Sequence, residues 1–351
     1  MIMAGGTGGH IFPALAVAEH LRGQGWNVVW MGSRAGMEAR VIPPMGYTMA
    51  WIRFTGVRGK GWLRKLLLPF NLLVAFWQSA RAIFLHRPDV VLGMGGYVAF
   101  PGGMMASFLN RPLVIHEQNS IAGLTNRVLA RLADRILVAF PNACAASTAV
   151  IWTGNPVRSE ITAIKGPEVR YANRAGRLQL LVIGGSLGAR ALNETVPQAL
   201  ALLGADTRPQ VTHQSGSLHA EALREAYRLA GVSAELIPFV DDMAARYAAA
   251  DLIICRAGAS TVSEIAAAGI ASVMVPYPHA VDDHQTHNAR YLADRGAAVL
   301  IPQREFTPEK LAWLLGEFTR EKLLAMAQAA RAAGKPEATR AVAEVCMELA
   351  A

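Results

Sequence analysis

At 351 residues the chain is long enough for two domains of ordinary size, and 52% hydrophobic against 17% charged residues excludes a disordered or low-complexity protein. The net charge of +8 favours anionic partners, but no long lysine or arginine run and no nucleic-acid motif is present, which points away from nucleic acid and towards phosphorylated metabolites or an acidic membrane surface. Cys144, Cys255 and Cys346 stand far apart without a CxxC pair, which excludes a disulfide framework or a cysteine zinc site and suits a reducing compartment.

Taken in chain order, the apolar strand candidates are 2–4, 28–31, 90–94, 113–116 and 136–139. Then come 180–183, 211–213, 252–255, 271–275 and 297–301. Alanine- and leucine-rich helical stretches separate them. Such alternation predicts α/β units on parallel sheets. The two halves echo one another. MIMAGGTGGH at the start reads as a strand entering a glycine turn, with no basic leader, and LLVIGGSLGA at 180–189 repeats the plan. Each opens a Rossmann-like sheet. The join is expected near Gly154-Asn155-Pro156-Val157-Arg158, followed by a polar, loose stretch at 164–177. The last helix, from about Pro336, could pack on either half.

Three glycine turns follow apolar strands: Gly5-Gly6-Thr7-Gly8-Gly9-His10, Gly93-Met94-Gly95-Gly96-Tyr97 and Gly184-Gly185-Ser186-Leu187-Gly188. Glycine there lets the backbone approach a ligand, and the following helix presents unpaired N–H groups to an anion. A single turn of this kind can simply fit a tight connection. Three of them in a basic chain favour phosphate handling. The first turn lacks the GxGxxG fingerprint and none is a GxxxxGK[ST] loop, so the expected ligand carries a diphosphate but is neither NAD nor a nucleotide on a Walker loop.

The apolar segment 66–84 is interrupted by Pro69, Asn71, Gln78, Ser79 and Arg81, whereas a spanning helix needs roughly 20 nearly uninterrupted apolar residues. A buried core helix is the plain reading. The other is a helix lying on lipid: Trp62, Leu66, Phe70, Leu73 and Trp77 recur at helical spacing, flanked by Arg58, Lys60, Arg64, Lys65, Arg81 and Arg87.

His116-Glu117-Gln118-Asn119 ends another strand. Four polar side chains are costly to bury without partners, and a surface turn would accept them. At 251–289 a strand, a turn, a helix, a second strand and a polar loop follow in quick order. Thr261-x-x-Glu264 fits a capping box, so the helix is expected to open at about Thr261. Parallel pairing puts Arg256, the Ser260–Glu264 turn and Gln285 at carboxyl ends of neighbouring strands, where open α/β sheets take ligands.

These motifs resemble a known family. GGTGGH, GMGGYVAFPGG, HEQNSIAGLTNR, TGNPVR, GGSLGAR, CRAGASTVSEIAAAG and DDHQTHNA stand in the order found in the MurG family, the peripheral membrane N-acetylglucosaminyltransferases of bacterial peptidoglycan synthesis. The resemblance covers essentially the whole chain. It implies a GT-B fold, two Rossmann-like domains with a deep interdomain cleft. The first would comprise 1–157 with a returning helix at 336–351 and would bind acceptor and membrane; the second, 158–335, would bind the donor. The implied reaction moves N-acetylglucosamine from UDP-N-acetylglucosamine to the C4 hydroxyl of the muramyl sugar of lipid I, giving lipid II with inversion. The implied place is the cytoplasmic face of the inner membrane, with other cell-wall synthesis and division proteins as possible associates.

Carried over by position, the resemblance puts Arg158 and Ser186 at the donor diphosphate and the Val240 backbone at the uracil. The run Ala259, Ser260, Thr261, Val262, Ser263 and Glu264 forms the nucleotide turn, with Glu264 on the ribose. Gln285 and Asn119 hold the transferred sugar, and Thr7, Gly8 and Gly9 line the site. His284 stands where some relatives have glutamine. Gly6, Gly95, Gly96 and Tyr97 would cradle the acceptor diphosphate. An inverting transfer needs a base for the acceptor hydroxyl; His10 is favoured for its near-neutral titration and Glu117 is the rival, either as the base or as the group orienting His10. Arg158, Ser186, helix N-terminal amides and Arg256 could hold the leaving diphosphate. They would replace a metal ion, and no metal cofactor is expected. A UDP-N-acetylglucosamine 2-epimerase and a catalytically silent glycan-lipid binder are the alternative readings.

Overall fold

The apolar runs become strands of two all-parallel sheets, inner ones except for 297–301, which forms an edge. The protein is described from a computed structural model over residues 1–54, 67–145, 147–185 and 188–350. The chain divides into two compact units, Met1–Arg158 with Pro336–Ala351, and Ser159–Lys335.

The first unit holds β1 (Ile2–Met3), β2 (Val29–Gly32), β3 (Thr48–Trp51), β4 (Val91–Gly93), β5 (Leu113–Glu117), β6 (Arg135–Val138) and β7 (Val150–Trp152), in the order β3-β2-β1-β4-β5-β6-β7. Ile2 pairs with Trp30 on one side and Leu92 on the other. Helices cover both faces, so the inner strands are continuous apolar runs. On one face Ile2, Trp30, Leu92 and Val114 pack with Ile11 and Ala14 of α1 (Gly8–Gly23) and with Val342, Ala343 and Cys346 of the C-terminal helix Ala338–Ala350. The Thr339 hydroxyl, donating to the Val157 carbonyl at 3.0 Å, fastens that helix to this unit. The other face is covered by α2 (Leu68–His86), through Ala75, Ala82 and Ile83, and α3 (Ala99–Phe108), through Ala99 and Ala106.

The second unit repeats the plan. Its strands are β8 (Gln179–Ile183), β9 (Gln210–Gln214), β10 (Glu235–Ile237), β11 (Leu252–Cys255), β12 (Ala271–Met274) and β13 (Ala298–Leu300), in the order β10-β9-β8-β11-β12-β13. Leu180, Val182, Ile254 and Val273 pack against Leu192 and Val196 of α4 (Arg190–Ala201) and against Leu223 and Tyr227 of α5 (Ala220–Ala230). After these come α6 (Met243–Ala249), α7 (Ala259–Ala268), α8 (His284–Ala293) and α9 (Arg320–Ala333).

The stretch 164–177 is not the loose segment its polarity predicts. It contains the short helix Pro167–Tyr171, and Arg174 Nη1 lies 2.5 Å from the carboxylate of Asp251, which has no exposed surface. The Gln179 amide donates to the same carboxylate at 2.8 Å, and the Tyr171 hydroxyl donates to the Asp251 carbonyl at 2.7 Å. A buried charge requires such partners, and they tie the segment to the second unit.

Strand order reverses between β1 and β4 in one sheet and between β8 and β11 in the other. The carboxyl end of such a switch point is where a doubly wound sheet binds ligands. The first and second glycine turns leave β1 and β4; the third glycine turn and Arg256–Ala259 leave β8 and β11.

Candidate active site

In the first unit the turn after β1 is built over a buried carboxylate. Glu38, with no exposed surface, accepts from the Gly6 N–H at 3.1 Å through Oε2 and from the Ser33 N–H at 2.9 Å through Oε1. The Gly6 N–H, expected to face the acceptor diphosphate, is bonded to this carboxylate. A Cβ at Gly5 would come 2.5 Å from Glu38 Oε1, which is why glycine stands there. Tyr97 lies close by, and its phenol is held above the ordinary range by burial and by the charge of Glu38.

Thr7 caps α1, with the His10 and Ile11 N–H groups on its carbonyl at 3.1 and 3.2 Å. Its Oγ1 lies 3.3 Å from His10 Nδ1. The imidazole rests on the second glycine turn. A Cβ at Gly95, whose φ is +91°, would stand 2.6 Å from His10 Cδ2 and 2.9 Å from Nε2. Gly96, at φ +80°, backs onto the Gly5 carbonyl. The two turns therefore interlock, and His10 is fixed by Thr7 on one side and Gly95 on the other.

The polar run after β5 is not a surface turn: His116, Glu117 and Gln118 are 0%, 3% and 2% exposed. Each has found partners, as burial demands. His116 Nε2–H donates to the Gly154 carbonyl at 2.9 Å, and burial pushes its pKa down to about 4. Gln118 Nε2 donates to the Met94 carbonyl at 2.8 Å, holding the second glycine turn. Glu117 accepts from the Asn119 N–H at 2.9 Å, the Gly123 N–H at 3.0 Å and Asn126 Nδ2 at 2.8 Å. Its carboxylate is turned inward to order the loop through Asn126, which is scaffold work and weighs against a part as proton acceptor. Asn119 Nδ2 leans on the same carboxylate at 3.4 Å.

In the second unit the turn after β11 is pinned by neutral amides. Gln285 Oε1 accepts from the Ala257 N–H at 3.2 Å and the Tyr277 N–H at 2.9 Å. Asn288 Nδ2 donates to the Ala257 carbonyl at 3.1 Å. Both come from α8, one turn apart. With Oε1 taken, Gln285 offers a ligand its Nε2 donor. Helix α7 opens at Ala259, not Thr261, and its cap is Gly258. The capping-box reading is thereby corrected. Gly258 brings no side chain, so the first-turn N–H groups of a ten-residue helix point towards the carboxyl end of β11. Val262 is fully buried and belongs to the core; Ala259 is 8% exposed, while Ser260, Thr261, Ser263 and Glu264 are half-buried. Glu264 Oε2 accepts from the Tyr247 hydroxyl at 3.1 Å.

Arg256 does not reach for an anion. Its guanidinium donates to the Val275 and Pro276 carbonyls at 3.0 and 3.1 Å and to Gln303 Oε1 at 2.7 Å, and it sits 5.6 Å from the Tyr277 ring centroid. His284 Nδ1 bonds the Val281 carbonyl at 2.7 Å, and Asp283, the residue before α8, accepts from the Thr286 hydroxyl at 2.7 Å. Val240 is 5% exposed just before α6, and Arg158 is half-buried at the end of the first unit. Ser186, Trp62, Arg64, Lys65 and Leu66 lie outside the described residues. Among the described residues no group of three His, Cys, Asp or Glu side chains could hold a metal ion.

Helix α2 is not the core helix of the plain reading. Ala75, Ser79, Ala82 and Ile83 face inward, while Phe70, Leu73 and Trp77 are about two-thirds exposed, at 66%, 66% and 65%. Phe84, Leu85 and, on α3, Phe108 are exposed as well. A cluster of large apolar side chains facing outward marks an interaction surface. Glu38 and Tyr247 are the residues that sequence reasoning missed. Neither lies in a motif that carries chemistry, and only the fold brings them to the site residues.

Comparison with known proteins adds the chemistry's identity. Residues 1–138 match the glycosyltransferase family 28 N-terminal domain and residues 179–344 match its C-terminal domain. The chain is 61% identical, over its whole length and 98% of the relative, to the UDP-N-acetylglucosamine--N-acetylmuramyl-(pentapeptide) pyrophosphoryl-undecaprenol N-acetylglucosamine transferase of Aromatoleum aromaticum. The transferase of the same name from Cupriavidus metallidurans is also 61% identical, with the same coverage. The crystal structure of Acinetobacter baumannii MurG superposes with a TM-score of 0.87 at 44% identity, covering 99% of both chains. Two Rossmann-like units, two matched family domains and full-length identity of this order leave one conclusion: the chain is a GT-B protein of glycosyltransferase family 28 and belongs to the MurG family.

Proposed function

We propose that the protein transfers N-acetylglucosamine from UDP-N-acetylglucosamine to the C4 hydroxyl of the muramyl sugar of lipid I, forming lipid II. The observation that carries this reading is the 61% identity, across the whole chain, with transferases named for that donor and acceptor.

In this reading the second unit holds the nucleotide. The Val240 backbone meets the uracil, Glu264 accepts from the ribose hydroxyls, and the diphosphate takes the N-terminal amides of α7 with Ser186 and Arg158. Preorganised donors of this kind act where the leaving group gains charge. Arg256 supports the turn from behind. Gln285 Nε2 donates to the transferred sugar. On the first unit, Asn119 and the Thr7–Gly9 turn meet that sugar, and Gly95, Gly96 and Tyr97 serve the acceptor diphosphate.

His10 takes the acceptor proton. The role needs the tautomer in which Nδ1–H donates to Thr7 Oγ1 and Nε2 carries no proton. As the muramyl O4–H bond breaks towards Nε2, O4 bonds the anomeric carbon from the face opposite UDP. The bond from that carbon to the diphosphate oxygen breaks, and its electron pair leaves with UDP. Attack opposite the leaving group turns the α donor into a β product.

In this reading the enzyme meets the acceptor's lipid at the membrane surface as a peripheral protein, on the cytoplasmic face. The outward face of α2, with Arg81 and Arg87 near it, supports that placement. Incubation with UDP-N-acetylglucosamine and a short-chain lipid I analogue tests the whole reading. UDP and a β-linked disaccharide product are expected, at a rate unchanged by EDTA. Epimerised donor without acceptor would make the protein an epimerase, and binding without product would make it a silent binder.

A further inference from the structure

The carboxylate assigned to the ribose is not left to orient itself. Tyr247, on α6, is 1% exposed, and its hydroxyl donates to Glu264 Oε2 on α7 at 3.1 Å. The tyrosine is itself fixed. Its backbone carbonyl accepts from Arg170 Nη1 at 3.2 Å, and Nη2 of the same guanidinium reaches the Ala268 carbonyl at 3.2 Å and the Gly269 carbonyl. Helices α6 and α7 are therefore tied together twice, at Glu264 by the phenol and at the end of α7 by Arg170. The start of α6 is fixed as well: Asp242 caps it, accepting from the Ala245 N–H at 2.9 Å, two residues beyond Val240. One short helix thus links the segment that meets the base to the hydroxyl that meets the ribose carboxylate.

A buried phenol needs an acceptor, and the carbonyls of the neighbouring turn would satisfy it. Here it spends its proton on a half-buried carboxylate. A glutamate has three rotatable bonds, and holding them before the ligand arrives removes an entropic cost from binding. We propose that Tyr247 is a positioning residue for donor recognition: its hydroxyl holds the Glu264 carboxylate in the orientation that receives the ribose hydroxyls. The inference rests on the reading of Glu264 as the ribose acceptor.

The test compares UDP with 2′-deoxy-UDP by titration calorimetry on the full chain. The wild type prefers UDP, and Glu264→Gln loses most of that preference. Tyr247→Phe lowers the preference about 3–10-fold, the net worth of one hydrogen bond. Its affinity for 2′-deoxy-UDP falls less than its affinity for UDP, whereas a merely structural role would weaken both alike. In the double variant Tyr247→Phe with Glu264→Gln the losses do not add, because the hydroxyl acts through the carboxylate. A Tyr247→Phe protein that keeps the full preference while Glu264→Gln loses it overturns the inference and leaves the ribose reading intact. So do fully additive losses. A Glu264→Gln protein that keeps the preference takes down both.

Discussion

The first and third glycine turns look alike in sequence, GGTGGH after β1 and GGSLGA after β8, and both stand at the switch point of a doubly wound sheet. Their surroundings differ. The first is built over the Glu38 carboxylate, which consumes the Gly6 N–H, and it interlocks with a second turn through His10 and Gly95. In the second unit the neighbouring turn after β11 is held by the neutral amides of Gln285 and Asn288, and α7 opens on a glycine cap with no side chain. A buried negative charge beneath a turn opposes an anion there, whereas neutral clamps and helix amides welcome one. In the proposed reading, the first edge therefore suits proton chemistry and the second suits nucleotide binding.

The largest effect that separates the two edges is on turnover. His10→Ala is expected to lower kcat about 10²–10⁴-fold, the usual worth of a general base, with UDP affinity unchanged in calorimetry. Glu117→Gln, by contrast, should show its damage first in thermal stability, since its carboxylate serves the loop.

Stability against pH compares one buried histidine in each sheet. Burial lowers His116 to about 4, and it lowers His213, between Tyr227 and Asn193, to about 3. The unfolded chain binds these protons near 6.5, so the contribution is complete above that pH and is lost as pH falls from 6.5 towards 4. About 3 kcal/mol per histidine is at stake in that window. His213→Gln, followed by thermal denaturation from pH 7 to pH 4, should flatten the decline; a slope equal to wild type would refute the assignment.

A smaller change falls on the donor. Glu264→Gln should raise the KM for UDP-N-acetylglucosamine about 10–100-fold, the cost of removing hydrogen bonds to a charged group, with kcat little altered. A change in melting temperature alone would return Glu264 to a structural role. The smallest effect concerns the membrane. Phe70→Ser with Trp77→Ser should weaken sedimentation with anionic vesicles by about tenfold, given the apolar area those two side chains can bury. Unchanged partition would remove α2 from the membrane account.

Much of this was legible in the sequence, for physical reasons. Inner strands of parallel sheets are buried on both faces and read as apolar runs; Leu252–Cys255 stands where the run predicts. The strands that escaped, β3, β7 and β10, are sheet edges with half-exposed residues, so no continuous run announces them. Glycine turns and the HEQN segment could be found because polar or flexible residues at strand ends are unusual. What those residues bond to could not. The inward carboxylate of Glu117, the guanidinium of Arg256 spent on carbonyls, and Glu38 beneath the first turn depend on contacts between segments distant in sequence. The helix start at Ala259 was missed because Thr261 and Glu264 imitate a capping box, while the true cap is a glycine with no side chain to betray it.

The division of labour is tested most directly by the steady-state kinetics of a double variant, His10→Ala with Glu264→Gln, beside its two parents. If the first unit supplies the base and the second grips the donor independently, the kcat loss of one and the KM rise of the other appear together at full size, as separate sites require. A double variant no worse than His10→Ala alone, or a His10→Ala protein that has itself lost UDP affinity, would contradict it.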